Sequence, residues 1–475
     1  MFAPVIASLL LGQGASEHLA SVQDSNRLAA KIVDHFNLDD VAGIQSMALP
    51  EFFRTMPRDR FPGLIHQVNG LGTLLSPSLV LDLGEERQYR ITIKKDGKPG
   101  RSISMILGAE SDSSFFFLSL GPYSEKLAPT KIWLSDNHGS LVVEKAIKDA
   151  TQHYLEKFAP AGVSIGVIDA GRKTFVNYGN SSMEGWKMPT SQTVYEIGSI
   201  TKTMTGFLIA QAIRDHKLNL DDDIRSHLPG TFSHLEFEGK PILVRHLVTH
   251  TSGLPANPPG IPDDGKANAY EQYNHKLLLT DLASIKLTRA PGSIFGYSNM
   301  GAGLCSLILE QVYGNGYENL LKKALFDPYK MTSSGLTVSP SMNIRYATPF
   351  DKAGAKTDRW VVNGIEAAGA LHSTCEDMLK YAQLSLDEKN PIVALTHTKV
   401  STGDGQELGI FWLLGHSKLG GHFVNHEGGT GGFTSHILVM PERKLAVVVL
   451  MNSGEQNAGE LAREIALRIL YHPGR

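Results

Sequence analysis

A serine and a lysine stand one helical turn apart at the start of a segment with helical spacing. Residues 197–202 read Ile-Gly-Ser-Ile-Thr-Lys, and the helical pattern continues from there to Arg214. Because Ser199 and Lys202 are three positions apart, a helix would present both side chains on one face. Serine is a weak nucleophile until a base takes its proton, and a lysine whose pKa is lowered by burial can be that base. The pair indicates nucleophilic chemistry at Ser199, although Ser-x-x-Lys pairs also occur on solvated helix faces.

A tyrosine and an asparagine form the second candidate element. Tyr297, Ser298 and Asn299 follow a glycine-rich turn and precede small residues with helical spacing near Gly301. A tyrosine that faces a cation-rich site can ionise and carry protons, and the asparagine can hydrogen-bond a substrate amide. The alternative is a capping turn in which Asn299 is the N-cap of the following helix.

The third element is rich in glycine. Residues 426–433 read His-Glu-Gly-Gly-Thr-Gly-Gly-Phe and lead into a strand-like segment at 435–440. Glycines such as Gly428 and Gly429 let a backbone edge approach a substrate closely, and such an edge can supply an N–H group to an oxyanion hole. The alternative is a glycine-rich hairpin or bulge. A dinucleotide-binding fingerprint fits poorly, because a strand rather than a helix follows the glycines.

Two other groups have the spacing of metal ligands but lack the rest of a site. His246 and His250 are four positions apart, yet Leu247 stands where a zinc metalloprotease would have its catalytic glutamate. The acidic run 221–223 is typical of a solvated turn, since the ligand loop of a calcium site is absent. We therefore predict neither a metal nor an organic cofactor.

The bulk composition limits the classes of function. The chain has 475 residues, which favours two domains, and 20% of them are charged, as in soluble globular proteins. The net charge of −3 offers no basic surface for nucleic acid, and no apolar run is long enough to span a bilayer. Residues 3–11 are apolar and small residues follow up to position 16, which resembles a secretory signal without its usual basic start. We expect a periplasmic or secreted protein that acts on a small molecule or peptide; the sequence leaves its oligomeric state open.

The elements that would position these residues fall into two units. Residues 23–123 predict three helices followed by strands, which indicates a small α+β accessory domain. The order of elements is similar to the cone-shaped, nuclear-transport-factor-like domains sometimes attached to hydrolases. A linker is predicted at 124–140. The predicted helices span 26–36, 41–47 and 61–68, and the predicted strands span 73–83, 88–94, 102–107 and 115–120.

The second unit, residues 141–475, is predicted to build one sheet from both of its ends. A helix at 141–158 and two strands at 162–170 and 172–178 open it. Strands at 410–414, 435–440 and 445–451 and a helix at 460–471 close it. The simplest assembly is an α+β domain, with an antiparallel sheet flanked by the terminal helices and a mostly helical insert.

The ordered motifs resemble the superfamily of serine hydrolases related to class C β-lactamases. That group includes β-lactamases, D-alanyl-D-alanine carboxypeptidases, D-aminopeptidases and serine esterases. The resemblance rests on the order Ser-x-x-Lys, Tyr-Ser-Asn and His-x-Gly, and on the segments 244–254 and 367–378. It extends from about residue 145 to the C-terminus. A Tyr-Ser-Asn motif, in place of Ser-Asp-Asn, points away from class A. The resemblance implies the serine β-lactamase and penicillin-binding fold, with the site between sheet and helical subdomain.

The resemblance also implies a role for each candidate residue. Ser199 would be acylated, Lys202 and Tyr297 would form the proton relay, and Tyr297 would later activate the deacylating water. Asn299 would bind the side-chain amide of the substrate. The backbone N–H groups of Ser199 and Gly429 would form the oxyanion hole, beside Gly428 in the same substrate-binding edge.

The sequence departs from typical class C β-lactamases at two adjacent positions. His426 stands where those enzymes have the lysine of Lys-Thr-Gly, and Glu427 replaces the threonine. Those family residues meet the substrate carboxylate, so Glu427 is expected to repel it and efficient β-lactam hydrolysis is disfavoured. If the two side chains meet, Glu427 would favour a charged His426 near pH 6. A hydrolase of β-lactams, D-amino-acid peptides or esters is predicted; the alternatives are a penicillin-recognising sensor with little turnover and a non-catalytic scaffold.

Overall fold

The computed structural model describes most of the chain. The described residues are 20–50, 52–55, 58, 61–69, 71–82, 86–95, 98–122, 134–135, 140–155, 157–158, 160–183, 187–261, 267–403 and 406–471. The signal-like segment 1–16 and nearly all of the predicted linker lie outside them, so export stays a prediction. No helix in the described part of the chain is long and apolar enough to cross a membrane.

Helices and an antiparallel sheet share one hydrophobic core in the first unit. Ser21 caps the first helix by accepting the N–H of Asp24, and Leu28, Ile32 and Phe36 recur at helical spacing on its buried face. The helices are α1 (Val22–Asn37), α2 (Val41–Met47), α3 (Phe52–Thr55) and α4 (Phe61–Asn69). The strands are β1 (Thr73–Leu74), β2 (Ser78–Asp82), β3 (Arg87–Lys95), β4 (Lys98–Ala109) and β5 (Phe115–Pro122). The likeness to nuclear-transport-factor-like domains and the domain bounds stay predictions.

An antiparallel sheet forms the centre of the second unit. Its described strands follow the order β13-β14-β15-β16-β17-β18-β7-β8-β6, so strands from the two ends of the unit meet where β18 pairs with β7. They are β6 (Leu134–Ser135), β7 (Gly162–Asp169), β8 (Arg172–Gly179), β13 (Ser401–Gly403), β14 (Gln406–Leu408), β15 (Leu413–Ser417), β16 (Gly421–Gly429), β17 (Thr434–Met440) and β18 (Leu445–Met451). Two small pairs join β9 (Val194–Glu196) to β12 (His372–Thr374) and β10 (Glu236–Phe237) to β11 (Lys240–Pro241).

Helices cover both faces of this sheet. The helices of the unit are α5 (Leu141–Leu155), α6 (Thr201–Arg214), α7 (Val244–Val248), α8 (His275–Ser284), α9 (Asn299–Tyr313), α10 (Tyr317–Leu321), α11 (Pro340–Asn343), α12 (Cys375–Ser385), α13 (Pro391–His397) and α14 (Ala458–Leu470). The terminal helices α5 and α14 share one core with one face of the sheet, and the helical insert shares another core with the opposite face. Alternate residues of β18, all of them buried, enter the two cores. The predicted α+β class is therefore confirmed.

Three local predictions differ from the structure. Residues 410–412 precede the strand rather than belong to it, because Ile410 and Phe411 bond instead to the carbonyls of Thr396 and Val248. The predicted strand 73–83 is divided into β1 and β2. The predicted linker includes β6, which pairs with β8 at the edge of the sheet of the second unit.

Candidate active site

A tight turn holds Ser199 at the entrance to helix α6. The 3-10 turn Gly198–Ile200 continues directly into the helix, so Ser199 and Lys202 lie on consecutive turns as predicted. Gly198 has a φ of +49°, and a Cβ there would lie 2.6 Å from the nitrogen of Gly429. Only glycine permits this contact without displacing the strand. The turn with the serine therefore packs directly against the end of β16.

Lys202 has no exposed surface and three hydrogen-bond partners. Its Nζ lies 3.0 Å from Ser199 Oγ, 2.8 Å from Asn299 Oδ1 and 2.5 Å from the carbonyl oxygen of Ala368. Burial holds the pKa of Lys202 well below its ordinary value, because a charged ammonium loses its hydration there. The site therefore favours the neutral amine of Lys202 over the charged ammonium.

Tyr297 lies over the amine of Lys202 at the open side of the site. The lysine Nζ is 4.7 Å from the centre of the tyrosine ring, and 38% of Tyr297 is exposed. Burial of its hydroxyl raises the pKa of Tyr297, a hydrogen bond with Ser199 lowers it, and the negative charge of Glu427 raises it. Its hydroxyl therefore stays protonated at neutral pH.

Asn299 is the first residue of helix α9 and not its cap. Ser298 is the N-cap, because its side chain accepts the N–H of Gly301. The Asn299 side chain is thereby left for the site: Oδ1 accepts from Lys202, and Nδ2 donates to Asn257 Oδ1 at 2.9 Å. The Asn299 amide thus links the Lys202 amine to the partly buried amide of Asn257.

His426 and Glu427 lie on opposite faces of strand β16, as adjacent residues of a strand must. His426 is buried on the face toward Lys202, whereas 60% of the Glu427 side chain is exposed and its Oε1 lies 3.8 Å from His436 Nδ1. Burial, and then the charge of Lys202, lower the pKa of His426 to about 4. The condition under which Glu427 would favour a charged His426 is therefore not met, because the two side chains do not meet and desolvation is the largest influence on the pKa of His426.

The proton of the neutral His426 ring is fixed by its surroundings. Nδ1 lies 2.7 Å from the carbonyl oxygen of Glu427, which can only accept, so Nδ1 donates. Nε2 is then an acceptor and offers no N–H to a substrate carboxylate.

Gly428 and Gly429 bring the backbone of β16 close to the Gly198–Ile200 turn, which carries Ser199. A Cβ on Gly428 would lie 2.0 Å from the carbonyl oxygen of Ile197, while a Cβ on Gly429 would meet open space. Ser435 Oγ also donates to that carbonyl at 2.9 Å, which fastens β17 to the same turn. Gly428 thus allows the close approach of β16 to the Ile197 carbonyl, and the predicted approach of this edge to a substrate stays a prediction.

Sequence reasoning missed three residues of this site. The Ala368 carbonyl accepts from Lys202, Asn257 meets Asn299, and the ring of His250 lies 4.4 Å from that of Tyr297. Ala368 and His250 stand in the two consensus-like segments, which was the available signal. Asn257 lies just after the segment 244–254, and no feature of the sequence indicates its part in the site.

His246 and His250, which have the spacing of metal ligands, accept hydrogen bonds from different parts of the backbone. His246 Nδ1 accepts the N–H of Leu243 at the start of α7, whereas His250 Nδ1 accepts the N–H of Ser298. No cluster of three or more potential metal ligands occurs among the described residues.

Comparison with known proteins identifies the family of this chain. The β-lactamase family model matches residues 147–470. A β-lactamase of Pseudomonas fluorescens is 26% identical over 66% of this chain and 95% of its own length. Protein flp of Staphylococcus aureus (strain N315) is 25% identical over 69% of this chain and 67% of its own length. The chain belongs to the β-lactamase family, and the comparisons support a serine hydrolase of that family.

Solved structures share the fold of the second unit. A β-lactamase/D-alanine carboxypeptidase from Yersinia pestis aligns with a TM-score of 0.61 at 21% identity, over 70% of this chain and 99% of its own. A class C β-lactamase mutant aligns with a TM-score of 0.60 at 23% identity, over 70% of this chain and 99% of its own. The predicted serine β-lactamase fold is confirmed. None of these matches supports the alternative of a sensor with little turnover.

Proposed function

We propose that the protein cleaves an ester or amide bond through an acyl-enzyme on Ser199. The observation that carries this proposal is the 3.0 Å approach of the fully buried Lys202 amine to Ser199 Oγ. Two N–H groups of a neutral amine suffice for Asn299 and Ala368, so the lone pair faces the serine hydroxyl. Lys202 then takes the proton as Oγ attacks the carbonyl carbon.

Tyr297 completes the proton path in both halves of the reaction. Its ring covers the amine, and its hydroxyl is hydrogen-bonded with Ser199. The proton taken from Ser199 passes through Lys202 and Tyr297 to the leaving group as the scissile bond breaks. In the second half, Tyr297 takes a proton from water while it gives its own proton to Lys202, and the hydroxide attacks the acyl carbon. Lys202 then returns that proton to Ser199 Oγ as the acyl–oxygen bond breaks and the product acid leaves. The N–H groups of Ser199 and Gly429 stabilise the oxyanion in each step.

The substrate of this site is an acyl compound that needs no carboxylate for binding. The neutral His426 presents an acceptor, which favours a neutral or hydrogen-bond-donating group at the position where related enzymes hold a carboxylate. Asn299 and Asn257 provide the amide contacts for the acyl side chain. Esters and amides without a carboxylate, including amides of D-amino acids, fit this arrangement better than cephalosporins do.

Covalent labelling tests the nucleophile. The protein is incubated with a fluorophosphonate and with penicillin, and we expect mass spectrometry to locate the adduct on Ser199. The matched control is Ser284→Ala, which removes a serine hydroxyl at the end of helix α8 and should still be labelled. A Ser199→Ala variant that retains both adduct and hydrolysis would refute the assignment.

Burst kinetics distinguish an enzyme from a sensor. A p-nitrophenyl ester in large excess should release many equivalents of p-nitrophenol per protein. Release that stops after one equivalent would contradict the proposal, because it is the behaviour of a protein that is acylated and does not turn over.

A further inference from the structure

The loop that carries Tyr297 is fastened to the segment after helix α7 along its whole length. Gly292 N donates to the carbonyl oxygen of Thr251 at 2.7 Å. At the other end, Ser298 Oγ donates to the Pro255 carbonyl at 2.6 Å and Asn299 N to the Ala256 carbonyl at 2.7 Å. The position of the tyrosine is therefore set by a second strip of chain, residues 250–256.

His250 makes the contacts nearest to Tyr297 in this strip. Its carbonyl oxygen accepts the N–H of Gly296 at 2.7 Å, and its Nδ1 accepts the N–H of Ser298 at 3.1 Å. The ring lies against the tyrosine ring with 4.4 Å between centroids and a tilt of 32°. One residue thus holds the backbone on both sides of Tyr297 and supports its ring.

We propose that His250 is the positioning residue for Tyr297, holding its phenol over Lys202 through two backbone hydrogen bonds and a ring contact. This inference rests on the proposed function, in which Tyr297 carries the proton. It assigns no direct contact with substrate to His250. The imidazole acts only through the tyrosine that it holds.

The details of the ring are those of a positioning group rather than of simple packing. Because Nδ1 accepts from Ser298, the proton is on Nε2, and that buried atom has no partner among the described residues. Phenylalanine would fill the space without an unpaired donor, but it would leave the Ser298 N–H unbonded. His250 also adopts a φ of +54°, a left-handed conformation that is uncommon for a residue other than glycine. These two costs accompany the hold on the tyrosine loop.

The ring is also kept uncharged. Burial lowers the pKa of His250 well below its ordinary value, and a positive charge on Lys202 or on His426 would lower it further. A neutral ring beside Tyr297 adds no second cation to a site in which Lys202 must give up its charge. The surroundings of His250 therefore favour a residue that supports Tyr297 and disfavour one that carries protons.

Two variants separate the functions of the His250 side chain. His250→Asn keeps an acceptor near the Nδ1 position and tolerates the left-handed backbone, but loses the ring. His250→Phe keeps the ring and loses the acceptor. We expect each to lower kcat for a p-nitrophenyl ester by about 10- to 100-fold with a smaller change in KM, because small displacements of a catalytic group have losses of this size. His246→Asn is the matched control: it removes a histidine that also accepts a backbone N–H, and it should leave kcat unchanged.

A double-mutant cycle with Tyr297→Phe tests the route of the effect. If His250 acts through Tyr297, neither His250 variant should lower the residual kcat of Tyr297→Phe by more than about twofold. Undiminished losses in that background, or His250 variants with normal kcat beside an impaired Tyr297→Phe, would overturn the inference alone. A Tyr297→Phe variant with normal kcat would overturn the proposed role of the tyrosine and the inference together. Circular dichroism of each variant confirms that the comparison is made between folded proteins.

Discussion

The two faces of strand β16 carry adjacent residues into different environments. On one face, His426 is buried near Lys202 and opposite the helical insert. On the other, Glu427 lies beside His436 at the start of helix α14. Burial keeps both histidines neutral, with pKa values of about 4 and about 3.

This comparison shows that a strongly lowered pKa does not by itself mark a functional histidine. Desolvation is the largest cause on either face of the sheet. The difference lies in the surroundings of each ring: His426 lies within electrostatic range of Lys202, whereas His436 lies against Gly459 of helix α14. We therefore expect a histidine to affect catalysis only if it lies on the face of the sheet toward Ser199 and Lys202. The variants below test this expectation.

The largest effect is expected for the proton relay on the catalytic face. Lys202→Ala and Tyr297→Phe should each lower kcat by about 10²–10⁴-fold, the usual contribution of general acid–base catalysis. Because both serve one relay, the double variant should be little worse than the poorer single variant. The control is Tyr313→Phe in helix α9, which removes a tyrosine hydroxyl bonded to Asp215, far along the helix from the site. Losses that multiply in the double variant would speak against a shared relay.

Much of the scaffold could be predicted from the sequence because its patterns are local. The apolar β-branched run of β18 and the helical spacing of α1, α5 and α14 each fix an element without knowledge of its neighbours. The strands β13–β16 were harder, since their polar and glycine residues resemble loops. These segments are recognisable as strands only from their pairing, in which each bonds to the next in the order β13-β14-β15-β16-β17.

The candidate site divides in the same way. Ser199 and Lys202 are linked by a helix, so spacing alone predicts their proximity. Ala368 contributes a backbone carbonyl, which has no signature in the sequence, and Asn257 meets Asn299 only after two loops are packed together. The position of Glu427 cannot be predicted for a simpler reason. The sequence predicts a strand for 435–440 but none for the segment before it, so it does not indicate on which face of the sheet the Glu427 side chain lies.

A smaller effect is expected from a change of charge on the catalytic face. His426→Lys should raise kcat/KM for a cephalosporin relative to a neutral p-nitrophenyl ester by about 10-fold, since a single close charge pair near a surface contributes on the order of 1–4 kcal/mol. Glu427→Thr, on the other face, should change that ratio by less than about twofold. Each ratio is internal to one variant, so differences in folded fraction cancel. The expectation would be contradicted if a His426→Lys variant that is still acylated had an unchanged ratio, or if both variants shifted the ratio equally. Either result would mean that the face of β16 does not decide which residue meets the substrate carboxylate.

The smallest effect on catalysis, and a clear effect on stability, is expected at His436 behind the sheet. Its pKa is about 3 when folded and about 6.5 when unfolded, so the unfolded chain binds the extra proton between these values. The stability that the neutral ring contributes is present above pH 6.5 and is lost as the pH falls; Glu196, whose pKa burial raises to about 7, acts in the opposite direction.

Replacing His436 should remove one proton from that balance. In His436→Leu, the slope of the unfolding free energy between pH 6.5 and 5 should decrease by up to about 1.4 kcal/mol per pH unit. Urea titrations across this range measure the slope, and Glu196 contributes equally to both proteins. The rate of ester hydrolysis at pH 7 should stay within about twofold of the parent protein. A parent-like slope would show that His436 is protonated in the folded protein, and a large loss of rate would show that the back face of β16 also supports the catalytic chemistry.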